Sequence, residues 1–276
     1  MTTPDLRVLS LGAGVQSTTL YLMAVEGAVG PKPDVAIFAD TCAEPPWVYQ
    51  HLDWLERGFG DSIPIRRVSA GDLVADVLRS RDGRSRFASL PLYVRSKDGG
   101  RASMLRRQCT REYKIDPINR EIRRLLGITT GQRAAGRYDV EEWIGISLDE
   151  VQRCKPSRHR WITTRWPLVA ELQIRRHQCT GWLAERGYPE PRRSSCVICP
   201  FHDDRFWAWL KKNHPGQFGR AAAFDREVRK GKLRCVNEDA YLHRSLLPLD
   251  EIDFGEDTSN QLELAFGNEC EGVCGV

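Results

Sequence analysis

Hydrophobic positions fall into short continuous runs separated by glycine, proline and polar clusters, the pattern of an α/β chain with buried strands. Leu6 to Leu11 reads as a buried strand. It ends in Gly12-Ala13-Gly14-Val15-Gln16-Ser17-Thr18, and a helix-compatible apolar run, Thr19 to Val25, follows. Asp34 to Asp40 is a second strand and Ile63 to Val68 a third. Pro45 and Pro46 open a helix carrying Trp47, Val48, Leu52 and Leu55. Gly71 to Ser80 reads as a short helix, and Thr110 as the N-cap of a helix with Ile115, Ile118, Ile122, Leu125 and Leu126 on its buried face. Pro117 kinks or delays its start. Trp143 to Ile146 is a further short strand leading into an acidic helix start, and Asp203 to Asn213 and Gly216 to Arg229 read as helices with core aromatics. Arg81 to Gln108 has little periodicity and reads as a long mobile insertion.

A strand, a glycine turn and a helix start form an anion-binding arrangement. Glycines let the backbone approach closely and take positive φ, and the helix N-terminus points N–H groups at a phosphate. Ser17 and Thr18 add hydroxyl donors. No Lys-Ser/Thr follows a second glycine, so the turn is not a Walker A loop, and its spacing is not G-x-G-x-x-G. An ordinary strand-to-helix turn is the alternative. Asp40 falls at the C-terminal end of the second strand, where ligands of open α/β sheets bind.

The 276 residues suffice for one large α/β domain or a domain with an appendage, and the 41% apolar content suffices for a core. No run approaches a membrane span and no signal peptide is visible, so the expectation is a soluble cytoplasmic protein without a membrane partner. Nine cysteines in such a chain argue for metal or thiol chemistry over disulfides. From Arg66 to Arg137 there are 18 Lys/Arg against 7 Asp/Glu, a balance of +11 that leaves −7 for the rest of a chain of net charge +4. Such a block suits a polyanion, whether nucleotide, tRNA or DNA, and a solvated basic face is the alternative. The insertion at 81–108 lies within it, as a lid or clamp.

The pattern S-x-G-x-G-x-x-S from Ser10 to Ser17 resembles the PP-loop of ATP pyrophosphatases and sulfonucleotide reductases, the adenine-nucleotide alpha-hydrolase fold. Asp40-Thr41-Cys42-Ala43-Glu44 resembles the D-T-G-x-E block of phosphoadenylylsulfate (PAPS) reductase-like proteins, with Cys42 where that block has glycine. The segment RQCTREYKIDPI, Arg107 to Ile118, resembles a block in the ATP-dependent subunit of DNA phosphorothioation systems. In that subunit the cysteine, here Cys109, is linked to an iron–sulfur cluster and the lysine, here Lys114, lies near the nucleotide. Gly145 to Arg153 resembles a later G-x-x-x-D-E-x-x-R block. Asp149 and Glu150 are suited to orient Arg153 or Mg²⁺, and Arg153 to hold a phosphate.

Cys196-Val197-Ile198-Cys199-Pro200 is a C-x-x-C that suits a zinc knuckle, a redox pair or half a cluster site. His202, Cys179 and Cys109 are available to complete a zinc site. The surrounding text resembles reductase-like proteins in which C-x-x-C-P-F follows a helix bearing an earlier cysteine. With Cys109 and Cys179 it gives four thiolates, the complement of a [4Fe–4S] cube. The resemblance to tRNA thiolases implies the other option, three ligands (Cys109, Cys196 and Cys199) with one iron open for sulfide. Cys42, Cys154 and Cys235 have no partners at metal spacing. The C-terminal Glu269-Cys270 and Cys274-Gly275 resemble the catalytic E-C-G tail of sulfonucleotide reductases, without its final histidine.

Together these readings predict a mainly parallel twisted sheet flanked by helices, with a PP-loop nucleotide-binding domain at 1–168 and a helical cysteine-bearing region at 169–276. Its cofactors would be ATP, Mg²⁺ and a [4Fe–4S] cluster, or Zn²⁺ instead. ATP would be held by Ser10, Gly12, Gly14, Gln16, Ser17, Thr18, Asp40 and Asp149, with Lys114 and Arg153 at the phosphates. The expected activity is adenylation of an acceptor with pyrophosphate release, then sulfur transfer from a sulfur donor. A sulfonucleotide reductase acting through Cys270 or Cys274 with an external reductant is a second enzyme reading. A zinc-stapled nucleic-acid-binding module is the non-enzyme reading.

Overall fold

The structure, a computed structural model, describes residues 3–81, 90–96, 102–231, 233, 236 and 238–255. In chain order, β1 (Leu6–Ser10) leads to α1 (Val15–Val25), β2 (Val35–Asp40) to α2 (Pro46–Phe59) and β3 (Ile65–Ser69) to α3 (Leu73–Ser80). Next come β4 (Tyr93–Arg95), β5 (Ala102–Met104) and a π-helical turn, Arg111–Ile115, that continues into α4 (Asp116–Leu125). β6 (Val140–Ile144), a 3₁₀ turn over Leu148–Arg153, β7 (Ile162–Arg165) and the one-turn α5 (Pro167–Ala170) follow. The last elements are α6 (Arg176–Glu185), α7 (Asp204–Asn213), α8 (Pro215–Arg229) and β8 (Ala240–Tyr241).

Among the described residues the central sheet has five strands in the order β3-β2-β1-β6-β7, every pair parallel. This is the α/β architecture expected from the apolar runs. β2 shows why those runs are continuous. Ala36 and Phe38 face the core under α1 and α2, while Val35, Ile37 and Ala39 face the one under α4 with Ile118 and Ile122. Each fully buried Ile or Phe contributes about 1.5–3 kcal/mol, so a one-residue slip, which exchanges the faces, is strongly disfavoured. β1 is paired with β2 on one side and β6 on the other. The strand order reverses there, and the crevice at the C-terminal ends of β1 and β6 is the topological switch point where such sheets bind ligands.

α1 is buried from Val15 to Ala24. A helix with no wet face needs cover on both sides. The sheet supplies one side and α6 the other, with Cys179 and Leu183 in the same core as Leu20 and Tyr21. α6, from beyond the expected boundary at residue 168, packs into the same core as α1. A further core gathers α3, α7, α8, β4 and the segment around Leu242 and Leu249. Asp225 of α8 ties that segment down, accepting from the N–H groups of Leu242 (2.7 Å) and Leu249 (3.0 Å).

Several boundaries differ from expectation. α1 starts at Val15, not Thr19, because polar Gln16, Ser17 and Thr18 find buried partners and need no loop. β6 starts at Val140, three residues early. Thr110 has helical φ and ψ and lies inside a helix that already begins at Cys109, so it is not the N-cap. Insertion 81–108 has regular structure where it is described. Its β4 and β5 pair antiparallel, β8 joins β4, and Leu90, Leu92 and Val94 enter the core. Residues 82–89 and 97–101 lie outside the described part. No helix among the described residues is long and apolar enough to cross a membrane.

Candidate functional site

The glycine turn sits at the switch point. Leu11 N–H bonds the Ile37 carbonyl at 2.9 Å, so the turn leaves the sheet only after β1 is fully paired. The left-handed residue is Ala13, at φ 58°, and neither Gly12 nor Gly14 takes positive φ. Gly14 is extended, and its N–H donates to Ser17 Oγ at 3.3 Å. Gly145, beyond β6, presses on the turn so closely that an added Cβ would lie 2.7 Å from Ser17 Cα.

The side chains of the turn are held from outside. Gln16 Nε2 donates to Glu150 Oε2 at 2.9 Å, and Gln16 Oε1 accepts from Arg176 Nη1 at 2.8 Å. Glu150 also pairs with Arg153 at 2.6 Å. Two guanidinium groups are thus anchored around the start of α1. Ser10 Oγ donates to Glu142 Oε1 at 2.7 Å, and burial raises the Glu142 carboxyl above its ordinary range. Thr18 Oγ1 bonds His51 Nε2 at 3.0 Å, and burial lowers His51 to about 4, so the ring is neutral at pH 7. Asp149 accepts from Ser147 Oγ (2.6 Å) and from the Arg176 N–H (3.1 Å) that opens α6. Its carboxylate braces two elements.

Asp40 ends β2 with Oδ1 accepting from the Cys42 N–H (2.7 Å) and the Tyr49 hydroxyl (2.8 Å). Cys42 has φ 59°, the conformation that favours glycine, so the turn keeps a glycine-type geometry with a cysteine in it. One residue earlier, Thr41 turns toward a second site. Its Oγ1 shares a hydrogen bond with Cys196 Sγ at 3.1 Å. Val197 N–H bonds the Ala43 carbonyl at 2.8 Å and fastens the C-x-x-C to this strand end.

Cys109, Cys196 and Cys199 line one cavity of about 30 Å³, together with Lys114 and Arg107. Glu44 lies buried behind it, 3.5 Å from Lys114 Nζ and 3.6 Å from Cys196 Sγ, and its Oε2 is buried without a hydrogen-bond partner. Burial and the Glu44 charge push the Cys196 thiol well up, against the opposing pull of Lys114 and Thr41. Cys109 precedes the π-turn and Lys114 lies within it, where Asp116 N–H reaches the Arg111 carbonyl, five residues back. Pro117 has no N–H to continue a regular ladder, and a π-turn beside it accommodates the break.

Cys179 is not with these thiols. It is fully buried between α6 and α1 in the other core, beside Leu183. His202 is not there either. Its Nε2 bonds the Cys196 carbonyl at 3.0 Å and its ring stacks on Phe206 at 3.9 Å, so it belongs to the aromatic core. The four-thiolate set with Cys179, and the zinc set using Cys179 and His202, are not assembled, because α6 carries Cys179 into the core beside α1 while His202, just before α7, stacks on Phe206 in another. Among the described residues no group of three or more His, Cys, Asp or Glu stands in ion-holding geometry. Three thiols around one cavity fit a thiophilic centre in kind. The space between them is that of one water, so a cube requires the thiols to move apart. Cys235, Cys270 and Cys274 lie outside the described residues.

The basic block is partly neutralised by neighbouring carboxylates. Arg67 pairs with Asp53 and Glu56, Arg79 with Asp76, Arg81 with Glu227 and Arg124 with Glu121. Arg176, His51, Glu44 and Gly145 take part in the site without a signal strong enough to single them out in sequence. Only Glu44 and Gly145 stand inside recognisable blocks.

No protein-family profile matches the chain, and no curated protein matches it. Among solved structures it is similar to the crystal structure of phosphoadenylyl-sulfate (PAPS) reductase from Candida auris, phosphate complex. The identity is 13% and the TM-score 0.41, over 71% of this chain and 81% of that one.

Proposed function

We propose that the chain is a PP-loop enzyme that activates an acceptor oxygen with ATP and replaces it with sulfur. The observation that carries this reading is the shared end of β2. The Ile37 carbonyl of β2 holds the start of the glycine turn, β2 ends at Asp40, and the next residue, Thr41, bonds Cys196 in the thiol cavity. A site that activates a nucleotide and one that handles sulfur would then share one strand.

The α-phosphate would rest against the backbone N–H groups of the turn and the start of α1. Arg153 and Arg176, held by Glu150 and Gln16, would balance the phosphate charge at fixed positions, which is how such sites lower a phosphoryl-transfer barrier. The acceptor oxygen would attack the α-phosphorus, the bond to the bridging oxygen would break, and pyrophosphate would leave. A sulfide-level sulfur then forms a bond to the activated centre as AMP departs. Lys114 is placed to steady the negative charge of sulfur at the cavity. A [4Fe–4S] cluster, if carried, would be held by Cys109, Cys196 and Cys199 and would supply redox and sulfur-binding chemistry there.

The test is pyrophosphate release from ATP in the presence of tRNA, duplex DNA or small-molecule acceptors, with sulfite release from sulfonucleotides assayed beside it. ATP is expected to raise the melting temperature, since a ligand of the folded state must, and Ser17→Ala with Gly14→Val is expected to abolish that shift. Sulfite release without pyrophosphate release would transfer the protein to the reductase reading. An ATP shift that survives the double substitution would place the nucleotide elsewhere.

A further inference from the structure

An open cleft of about 390 Å³ lies apart from the thiol cavity, lined by Pro46, Trp47, Gln50, Arg192, His214 and Gln217. One wall is the first turn of α2, six residues beyond Asp40. Another is Arg192, four residues before Cys196. Trp47 Nε1 donates to the Arg193 carbonyl at 3.0 Å and joins the two walls. The cleft therefore lies on chain segments that lead into the proposed reaction site, and none of its lining residues has a role in nucleotide or thiol chemistry above.

Its chemistry is specific. Trp47 and His214 lie 4.7 Å apart, ring to ring, and Trp209 closes on both at 5.6 and 4.9 Å, giving a firm aromatic wall. Arg192 lies over the Trp209 ring and pairs with His214 Nε2 at 3.0 Å, so this ring nitrogen is an acceptor and the imidazole is neutral. Arg192 is the cation of the cleft, and no acidic side chain is among its described lining residues. Two helices, α2 and α8, begin at the cleft, each without a side-chain cap bond. Gln217 Oε1 is buried with no hydrogen-bond partner, and Gln50 faces solvent beside it.

These features select by exclusion. A cation is disfavoured by Arg192 and by two helix N-termini. An apolar ligand leaves two amides unmet. A small anion leaves the aromatic wall unused and most of the volume empty. A planar, polar-edged ring joined to an anion uses every group, with the ring against Trp47, its edge on the glutamine amides and the anion on Arg192. We propose that this cleft seats one unpaired nucleotide of a single-stranded nucleic acid. As the holder of the acceptor strand it rests on the proposed function; as a binding site it does not.

The experiment is titration of the intact protein with short oligothymidylate and oligoadenylate, with a duplex of equal length and with free thymidine monophosphate, following tryptophan emission. Single strands are expected to quench the emission and to bind more tightly than duplex or free nucleotide. Arg192→Gln and Gln50→Ala, both at exposed positions, are expected together to weaken strand binding at least about tenfold, as loss of a phosphate contact and an edge contact implies. Trp47→Phe should remove most of the quench while keeping part of the affinity. The ATP-induced melting shift should persist in all three variants. Unchanged affinity in the Arg192→Gln, Gln50→Ala protein would overturn the assignment, as would duplex binding equal to single-strand binding. Free nucleotide binding as tightly as the strand would overturn the strand assignment. Failure of the ATP shift in the wild type with strand binding intact would overturn the proposed function and leave the cleft standing.

Discussion

Gly145 and Ser17 stand so close that a single methyl group cannot fit between them: the added carbon would lie 2.7 Å from Ser17 Cα and 2.8 Å from its nitrogen. Both contacts are with backbone, which cannot swing aside as a side chain tip can. We expect Gly145→Ala to cost about 1–3 kcal/mol of stability, the usual penalty of overpacking, and to displace the turn that begins α1. Urea unfolding gives the first and the ATP-induced melting shift the second. A variant as stable as wild type with a full ATP shift would show that the turn yields without consequence.

Cys42→Gly is expected to act in the opposite direction. A left-handed L-residue costs about 1–2 kcal/mol, while glycine returns about 0.4–1 kcal/mol through the freedom of the unfolded chain. The difference favours glycine by up to about 1.6 kcal/mol. Burial raises the Cys42 thiol, and its contact with Ser69 Oγ is long at 3.8 Å, so little is lost with the side chain. A lower denaturation midpoint in the glycine variant would mean that the sulfur contributes more than the strain costs.

His51 makes stability depend on acidity. Its folded value is about 4 against 6.5 when free, because burial disfavours the charged ring. Between these values the unfolded chain binds the extra proton and the folded chain does not. The His51 contribution is therefore full above pH 6.5, declines as pH falls, and levels off below about 4. The whole span is worth about 3 kcal/mol. Buried His202, also lowered, adds a decline of the same sign. His51→Gln should flatten part of the slope measured between pH 6.5 and 5 and leave the His202 part. An unaltered slope would assign the acid limb to other groups.

Cys179 separates packing from chemistry. Cys179→Ala removes one buried sulfur from the α1–α6 core and is expected to cost about 1–2 kcal/mol. It should leave the iron, zinc and sulfide content of anaerobically purified protein unchanged. Cys109→Ser, Cys196→Ser and Cys199→Ser should each lower whatever metal is present. Loss of metal in the Cys179 variant at wild-type stability would return that residue to the ligand set.

What could be read from the residues alone was whatever a local pattern encodes. Leu6 to Ser10 and Val35 to Asp40 announce buried strands through unbroken apolar runs, and a glycine turn after the first of them marks the switch point. Cys196 and Cys199 declare themselves by spacing. The partners of these groups are set by long-range packing. Glu150 meets Gln16 from 134 positions away, and Thr41 meets Cys196 from 155. Cys179 was misleading because its helix has the same spacing from the C-x-x-C whether it faces the cavity or α1. Only the need to cover a helix without a wet face decides between these, and that need is a property of the assembled layers. β4 and β8 were missed because strands of three and two residues carry almost no periodicity.

The π-turn at Arg111–Ile115 also acts as a phase shifter. It inserts a residue between the end of the helix that carries Cys109 and the stripe of Ile118 and Ile122 docked on the sheet. Removing one residue there would restore a regular α-helix without disturbing that stripe. Everything N-terminal to it would turn by about 100° and advance by about 1.5 Å. Cys109 would then leave the other two thiols while the fold stayed intact. The bearing of this sulfur is thus set by a register step inside one helix, independently of how the helix is anchored. Insertions and deletions at this point would retune the thiol cavity where substitutions elsewhere in the helix would not.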